Sequence, residues 1–106
     1  MSDAARIVID AGEPFFAGHF SGDPLVPGVV ILERVVEEIS RRAGARRWPR
    51  RFDAVKFLAP LRPGDVLTIE LDTTSTAAVR FRCRSGTTLV AAGTVTLGQN
   101  STGSER

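Results

Sequence analysis

The sequence predicts an α+β domain in which one long buried helix is wrapped by a curved antiparallel sheet. Three observations carry that reading. Val29 to about Ala43 follows a helical period and opens on the run Val29-Val30-Ile31-Leu32, apolar on all sides. From Phe52 onward the apolar period switches to two, as in strands with one wet face. Pro63-Gly64 and Ser85-Gly86 punctuate that second half as turns. A helix that is apolar on most sides needs cover on most sides, and a curved sheet supplies it. Such a sheet keeps open edges, so a dimer joining two sheets is expected.

The elements follow in chain order. Arg6–Asp10 reads as a short strand. Gly12 to Gly28 is a long loop interrupted by Pro14, Pro24 and Pro27, and a loop of that length in a small domain usually carries function. The helix is expected to be buried at its start. Val35, Val36, Ile39 and Ala43 continue its apolar stripe, and Gly44 ends it. Glu37–Arg41 and Glu38–Arg42 form i,i+4 pairs on the opposite, wet face. Phe52–Phe57, Val66–Asp72, Val79–Arg84 and Thr87–Leu97 read as four strands of an antiparallel meander. In the third of these, Val79, Phe81 and Cys83 alternate with Arg80, Arg82 and Arg84. One domain over residues 1–97 results, and residues 98–106 form a polar tail expected to be disordered.

Composition narrows the function classes. The chain has 106 residues, enough for one domain. Hydrophobic residues make up 42% and charged residues 25%, the balance of a soluble globular protein. No apolar run approaches the roughly 20 residues of a membrane span. The N-terminus, MSDAARIVID, lacks a basic region followed by an apolar stretch, so no signal peptide is expected and a cytoplasmic location is. The single cysteine, Cys83, offers neither a disulfide nor zinc-site spacing, and no metal is expected. The net charge of +2 is unevenly spread, with Arg41, Arg42, Arg46, Arg47, Arg50 and Arg51 in one short segment. That run reads either as a solvated helix end and loop, favoured by the helix dipole, or as a docking patch for an acidic partner. No nucleic-acid motif accompanies it, so nucleic acid is not the expected partner.

The candidate chemistry lies in "PFFAGHFSGDPLVPGVVILE". His19, the one histidine, is flanked by Phe15, Phe16 and Phe20, and Gly18 beside it allows close backbone approach. It reads either as a hydrogen-bonded structural residue or as a base. Glu33 lies within about 60° of Val29 and Val36 on a helical wheel, at the border of the apolar stripe. A carboxyl at such a border is either solvated or, where burial favours its acid form, a proton donor. Gly28 follows Pro27 and opens the helix, where the first N–H groups lack internal partners and carry the positive end of the dipole. Glycine there leaves room for a carbonyl oxygen. Base, acid and electrophilic pocket together suit proton abstraction beside a thioester carbonyl.

The segment GHFSGDPLVPGVVILE resembles the signature of the 3-hydroxyacyl carrier-protein dehydratases of hot-dog fold, at Gly18, His19, Phe20, Pro24, Pro27, Gly28, Val29 and Glu33. KFLAPLRPGDVLTIEL resembles the family's later strand pair at Lys56, Phe57, Pro60, Pro63, Gly64 and Asp65. Ser21 stands where the family usually has proline, and the helix and loops are short for the family. The resemblance implies a dimer whose sites are shared, with the histidine from one subunit and the acid from the other. It implies that His19 takes the α-proton, that the Gly28 N–H holds the thioester oxygen, and that Glu33 protonates the departing hydroxyl. Phe20 and Val29 belong with Gly28 to the substrate pocket. No metal or redox cofactor is implied, because the phosphopantetheine arm arrives on the acyl carrier protein. Arg46, Arg47, Arg50 and Arg51 are the expected docking residues for that acidic carrier. Glutamate at the acid position resembles the plain dehydratases rather than the dehydratase-isomerases. Two other readings stay open: an acyl thioesterase, and a non-catalytic hot-dog partner subunit or thioester-binding module. The dimer is a homodimer or a heterodimer with another hot-dog subunit.

Overall fold

The computed structural model describes residues 4–10, 25–43, 47–75 and 77–99. It contains one helix and five strands: β1 (Ala4–Val8), α1 (Gly28–Ala43), β2 (Arg47–Phe57), β3 (Val66–Ser75), β4 (Ala78–Ser85) and β5 (Thr88–Gln99). The strands form one antiparallel sheet in the order β1-β3-β4-β5-β2. The expected α+β architecture is therefore present. The expected four-strand meander is not, since only β3, β4 and β5 follow one another. After the helix, β2 lies against β5 at one edge, and β1 lies against β3 at the other. Strand period and turn residues specify hairpins between chain neighbours. They say nothing about where a strand arriving from a helix will dock.

The β4–β5 hairpin closes through Gly86, whose φ of 62° is open to glycine at little cost. The expected Pro63-Gly64 turn also forms. Asp65 N–H donates to Arg62 O at 3.0 Å, and the Asp65 carboxylate accepts from Arg62 N–H at 3.0 Å. β5 runs to Gln99, pairing Gly98 with Trp48 and Gln99 with Arg47. The tail expected from residue 98 therefore begins no earlier than 100, and residues 100–106 lie outside the described ones.

One face of the sheet is apolar. Leu67, Ile69 and Leu71 of β3 lie beside Val79, Phe81 and Cys83 of β4, and Ala91 and Val95 of β5 extend the layer. Alternation fixes this register, because a one-residue slip would turn every side chain to the opposite face. Helix α1 contributes Val30, Ile31, Val35 and Ile39 to the same core, each stabilising by about 1.5–3 kcal/mol when fully buried. Cys83 is fully buried, and burial, with a smaller contribution from the Glu70 charge, pushes its thiol up to about 12. It is a small core residue and carries no thiolate near neutral pH. On the other face Arg80 and Arg82 are exposed, and Arg84 Nε stands 3.4 Å from Glu70 Oε1. Among the described residues no helix is long and apolar enough to cross a membrane.

Two expectations about the helix are corrected. Its first turn is not buried all round, since Val29 is 63% exposed. Glu38, expected on the wet face, is only 8% exposed. Arg42 Nε at 2.6 Å and Arg41 Nε at 3.2 Å converge on the Glu38 carboxylate and cover it. The Glu38–Arg42 pair thus forms as expected. Glu37 instead pairs with Arg34 at 3.5 Å. Burial alone pushes the Glu38 carboxyl up, but the hydrogen bonds and charges of Arg41 and Arg42 outweigh it, so the net direction is down from the ordinary 4.5.

That direction fixes a pH dependence. A carboxylate whose folded pKa is lowered adds stability that is present above its unfolded pKa and lost as pH falls through the folded value. The stability difference between wild type and Glu38→Gln is therefore expected to be constant near neutrality and to shrink below about pH 4.5. Melting both proteins across pH 3–7 checks this. A difference that widens on acidification contradicts it.

Two anchors bracket the segment that carries His19. Gly64 N–H donates to Ile9 O at 2.9 Å, and Val26 N–H donates to Leu61 O at 2.8 Å. Both hold to the connector between β2 and β3.

Candidate active site

The start of α1 is set by Pro27. Its carbonyl accepts from Val30 N–H at 3.0 Å and from Ile31 N–H at 3.4 Å. Among the described residues, the Gly28 and Val29 N–H groups have no backbone acceptor, as the first turn of a helix requires. These are the donors expected to meet a carbonyl oxygen.

Two openings flank this turn. A cleft of about 480 Å³ lies beside Gly28 and is walled by Leu25, Val26, Ile31, Phe57 and Leu58. A groove of about 570 Å³ runs along the uncovered side of the helix, lined by Val29, Leu32, Glu33, Val36, Glu37 and Phe52. Val29, Glu33 and Val36 thus share a face, as the helical wheel indicates. That face is the open one, and Glu33 is exposed on it rather than held at the border of the core. Among the described residues Glu33 has no ion-pair partner, whereas Glu37 at the same groove is held by Arg34. The groove therefore offers one unpaired carboxylate among apolar walls.

His19 and Phe20 lie outside the described residues, as does Arg46. Arg47, Arg50 and Arg51 belong to edge strand β2 rather than to a loop. Arg50 and Arg51 are exposed, and Arg51 Nε sits 3.0 Å from Asp53 Oδ1. Arg41 and Arg42 are committed to Glu38, so the basic run is less available than its density suggests. Lys56, Arg80 and Arg82 instead border a shallow trough on the outer sheet face, floored by Ala92, Gly93 and Thr94. Phe57 and Leu58 are residues that sequence reasoning did not single out for the site. Their signal was available, because both lie in the matched KFLAPLRPGD run and stay half exposed beside the Gly28 cleft.

Residues 2–94 match the family described as ApeI-like, ApeI dehydratase. The chain belongs to the ApeI-like dehydratase family. Among curated relatives, a 3-hydroxyacyl-[acyl-carrier-protein] dehydratase FabZ from Syntrophobacter fumaroxidans is 37% identical over 71 residues, covering 59% of this chain and 48% of the relative. The chain spans about half the length of the curated relatives it matches. Of solved structures, the dehydratase heterocomplex ApeI:P from Xenorhabdus doucetiae superposes with a TM-score of 0.79 at 24% identity, covering 91% of this chain and 86% of that one. A probable thioesterase from Bartonella henselae superposes at 0.70 with 15% identity, covering 98% and 94%. These likenesses establish the hot-dog fold. Because a thioesterase shares it, the fold alone does not decide between the chemistries of an ApeI-like dehydratase and a thioesterase.

Proposed function

We propose that this chain dehydrates 3-hydroxyacyl thioesters carried on acyl carrier protein to trans-2-enoyl thioesters, in fatty-acid or related lipid or polyene synthesis. The observation that carries this reading is Glu33, the unpaired carboxylate in an apolar groove on the open face of α1. His19 takes the α-proton, the Gly28 N–H holds the thioester oxygen as it gains charge, and Glu33 gives a proton to the leaving hydroxyl. Phe20 and Val29 flank the acyl group. A proton donor works best out of water, and an exposed Glu33 needs a second subunit laid over the groove. A shared-site dimer meets that need and brings a His19 from the partner to the Glu33 of this chain. The reaction uses no metal or redox cofactor, because the phosphopantetheine arm comes with the carrier, and it is assigned to the cytoplasm.

The deciding experiment assays the purified chain on a 3-hydroxyacyl carrier-protein thioester. Enoyl product supports the reading, and free acid points to a thioesterase. No product points to the second reading, one half of a heterodimer. The open groove and the likeness to a dehydratase heterocomplex favour that alternative.

Carrier docking gives a further expected result. Replacing Arg46, Arg47, Arg50 and Arg51 by serine should raise KM for the carrier-bound substrate and leave turnover of a short pantetheine thioester unchanged. Steering by charge acts on encounter and weakens as salt screens it. Wild-type activity on the carrier should therefore fall with ionic strength more steeply than the variant's. Equal loss on both substrates makes the patch structural. If neither changes, Arg80, Arg82 and Arg84 become the docking candidates.

A further inference from the structure

Gly28 meets the tip of the Phe57 ring. A Cβ at Gly28 would lie 2.7 Å from Cζ, 2.9 Å from Cε1 and 3.1 Å from Cε2 of Phe57. These are the atoms farthest from the Phe57 backbone, so the ring points its end at the helix start. The two contacts below 3.0 Å do not occur for a real Cβ, so any side chain at position 28 requires the Phe57 ring to move from its seat. The ring's base is fixed by its neighbours. Phe57 ends β2 opposite Ala91, and the next two amides, Leu58 and Ala59, both donate to Val90 O at 2.8 and 3.4 Å. Yet Phe57 is 52% exposed, and its free side walls the cleft beside Gly28.

We propose that Phe57 is a positioning residue for the thioester carbonyl. By seating its ring tip on Gly28 it sets the first turn of α1 and keeps the approach to the Gly28 N–H free of side-chain bulk. This rests on the role given to Gly28 above. It acts through Gly28 and touches no reacting atom. Its effect falls on charge development at the carbonyl oxygen, and so on kcat rather than KM.

The sharpest variant is Phe57→Tyr. At a half-exposed phenylalanine, tyrosine is ordinarily the mildest replacement. Here the added hydroxyl extends from Cζ straight toward Gly28. Two rates are read on the full chain in its native assembly. One is dehydration of a 3-hydroxyacyl-pantetheine thioester. The other is α-proton exchange, in deuterium oxide, of an acyl-pantetheine thioester without the 3-hydroxyl. Exchange needs the base and the oxyanion donor but not the leaving group. Phe57→Tyr and Gly28→Ala are each expected to lower both rates about tenfold with KM changed less than about twofold, as loss of transition-state interactions does. Phe57→Leu, shorter than the ring, should lose less than Phe57→Tyr. Phe57→Ala alone should also lower both rates, and adding it to Gly28→Ala should lose less than the product of the two single losses, because both changes act on one contact.

Wild-type exchange without dehydration would sink the proposed reaction and leave this inference standing. A folded Phe57→Tyr with wild-type rates overturns it, as do a folded Phe57→Ala with wild-type rates, a double variant whose single losses simply multiply, or a wild type that catalyses neither process. Should Gly28→Ala fail to fold, the comparison of Phe57→Tyr with Phe57→Leu decides.

Discussion

Glu33→Gln is expected to fold as the wild type does and to lose at least about a hundredfold in dehydration, the scale of a removed general acid. The two halves of that expectation come from different features. Folding is spared because Glu33 is exposed and supports no ion pair among the described residues, and exposed substitutions of this kind usually change stability by less than about 0.5 kcal/mol. Activity falls because glutamine keeps the shape and loses the transferable proton. His19→Ala should lose activity on the same scale. If sites are shared between subunits, mixing the two inactive variants and letting subunits exchange restores part of the activity, since some dimers then hold one intact site. Near-native turnover in either single variant removes that residue from its role. Proven exchange without recovery argues for a site within one chain.

Phe81→Ala is expected to be the most damaging core substitution. The ring is fully buried at the centre of β4 and meets Phe52 edge-on, with centroids 6.1 Å apart and planes at 86°. Removing a buried phenylalanine ring costs about 3–5 kcal/mol. Set against a total stability of roughly 5–15 kcal/mol for a domain, this leaves the variant partly unfolded or close to it. Urea titration should show a much lower midpoint with little change in slope. A shift worth less than about 1 kcal/mol on that titration would show that the core closes around the gap.

What the sequence revealed depended on how local the cause was. The alternation through Leu67, Ile69 and Leu71, and through Val79, Phe81 and Cys83, is a property of neighbouring residues, and those strands appear where expected. The turn at Pro63-Gly64 is equally local. Glu38 was misplaced because its burial comes from two arginine side chains folding over it, which a helical wheel does not represent. Val29 was misplaced for the opposite reason, since no element of the described chain covers that side of the helix. The docking of β2 against β5 depends on where the chain travels after α1, and no residue in β2 encodes it alone. At the site, Gly28, Val29 and Glu33 were legible from the motif and its spacing. The seat of Phe57 on Gly28 was not, because it joins a strand end to a helix start from distant parts of the chain.

The anchors at Ile9–Gly64 and Val26–Leu61 have a consequence for how this scaffold can change. The acceptor and donor on the connector, Leu61 O and Gly64 N–H, lie only three residues apart, so the chain leaving β1 and the chain entering α1 are tied to one short piece of backbone. A deletion or insertion between Leu61 and Gly64 would therefore move Ile9 and Val26 relative to each other, and with them the start of the helix that carries Glu33.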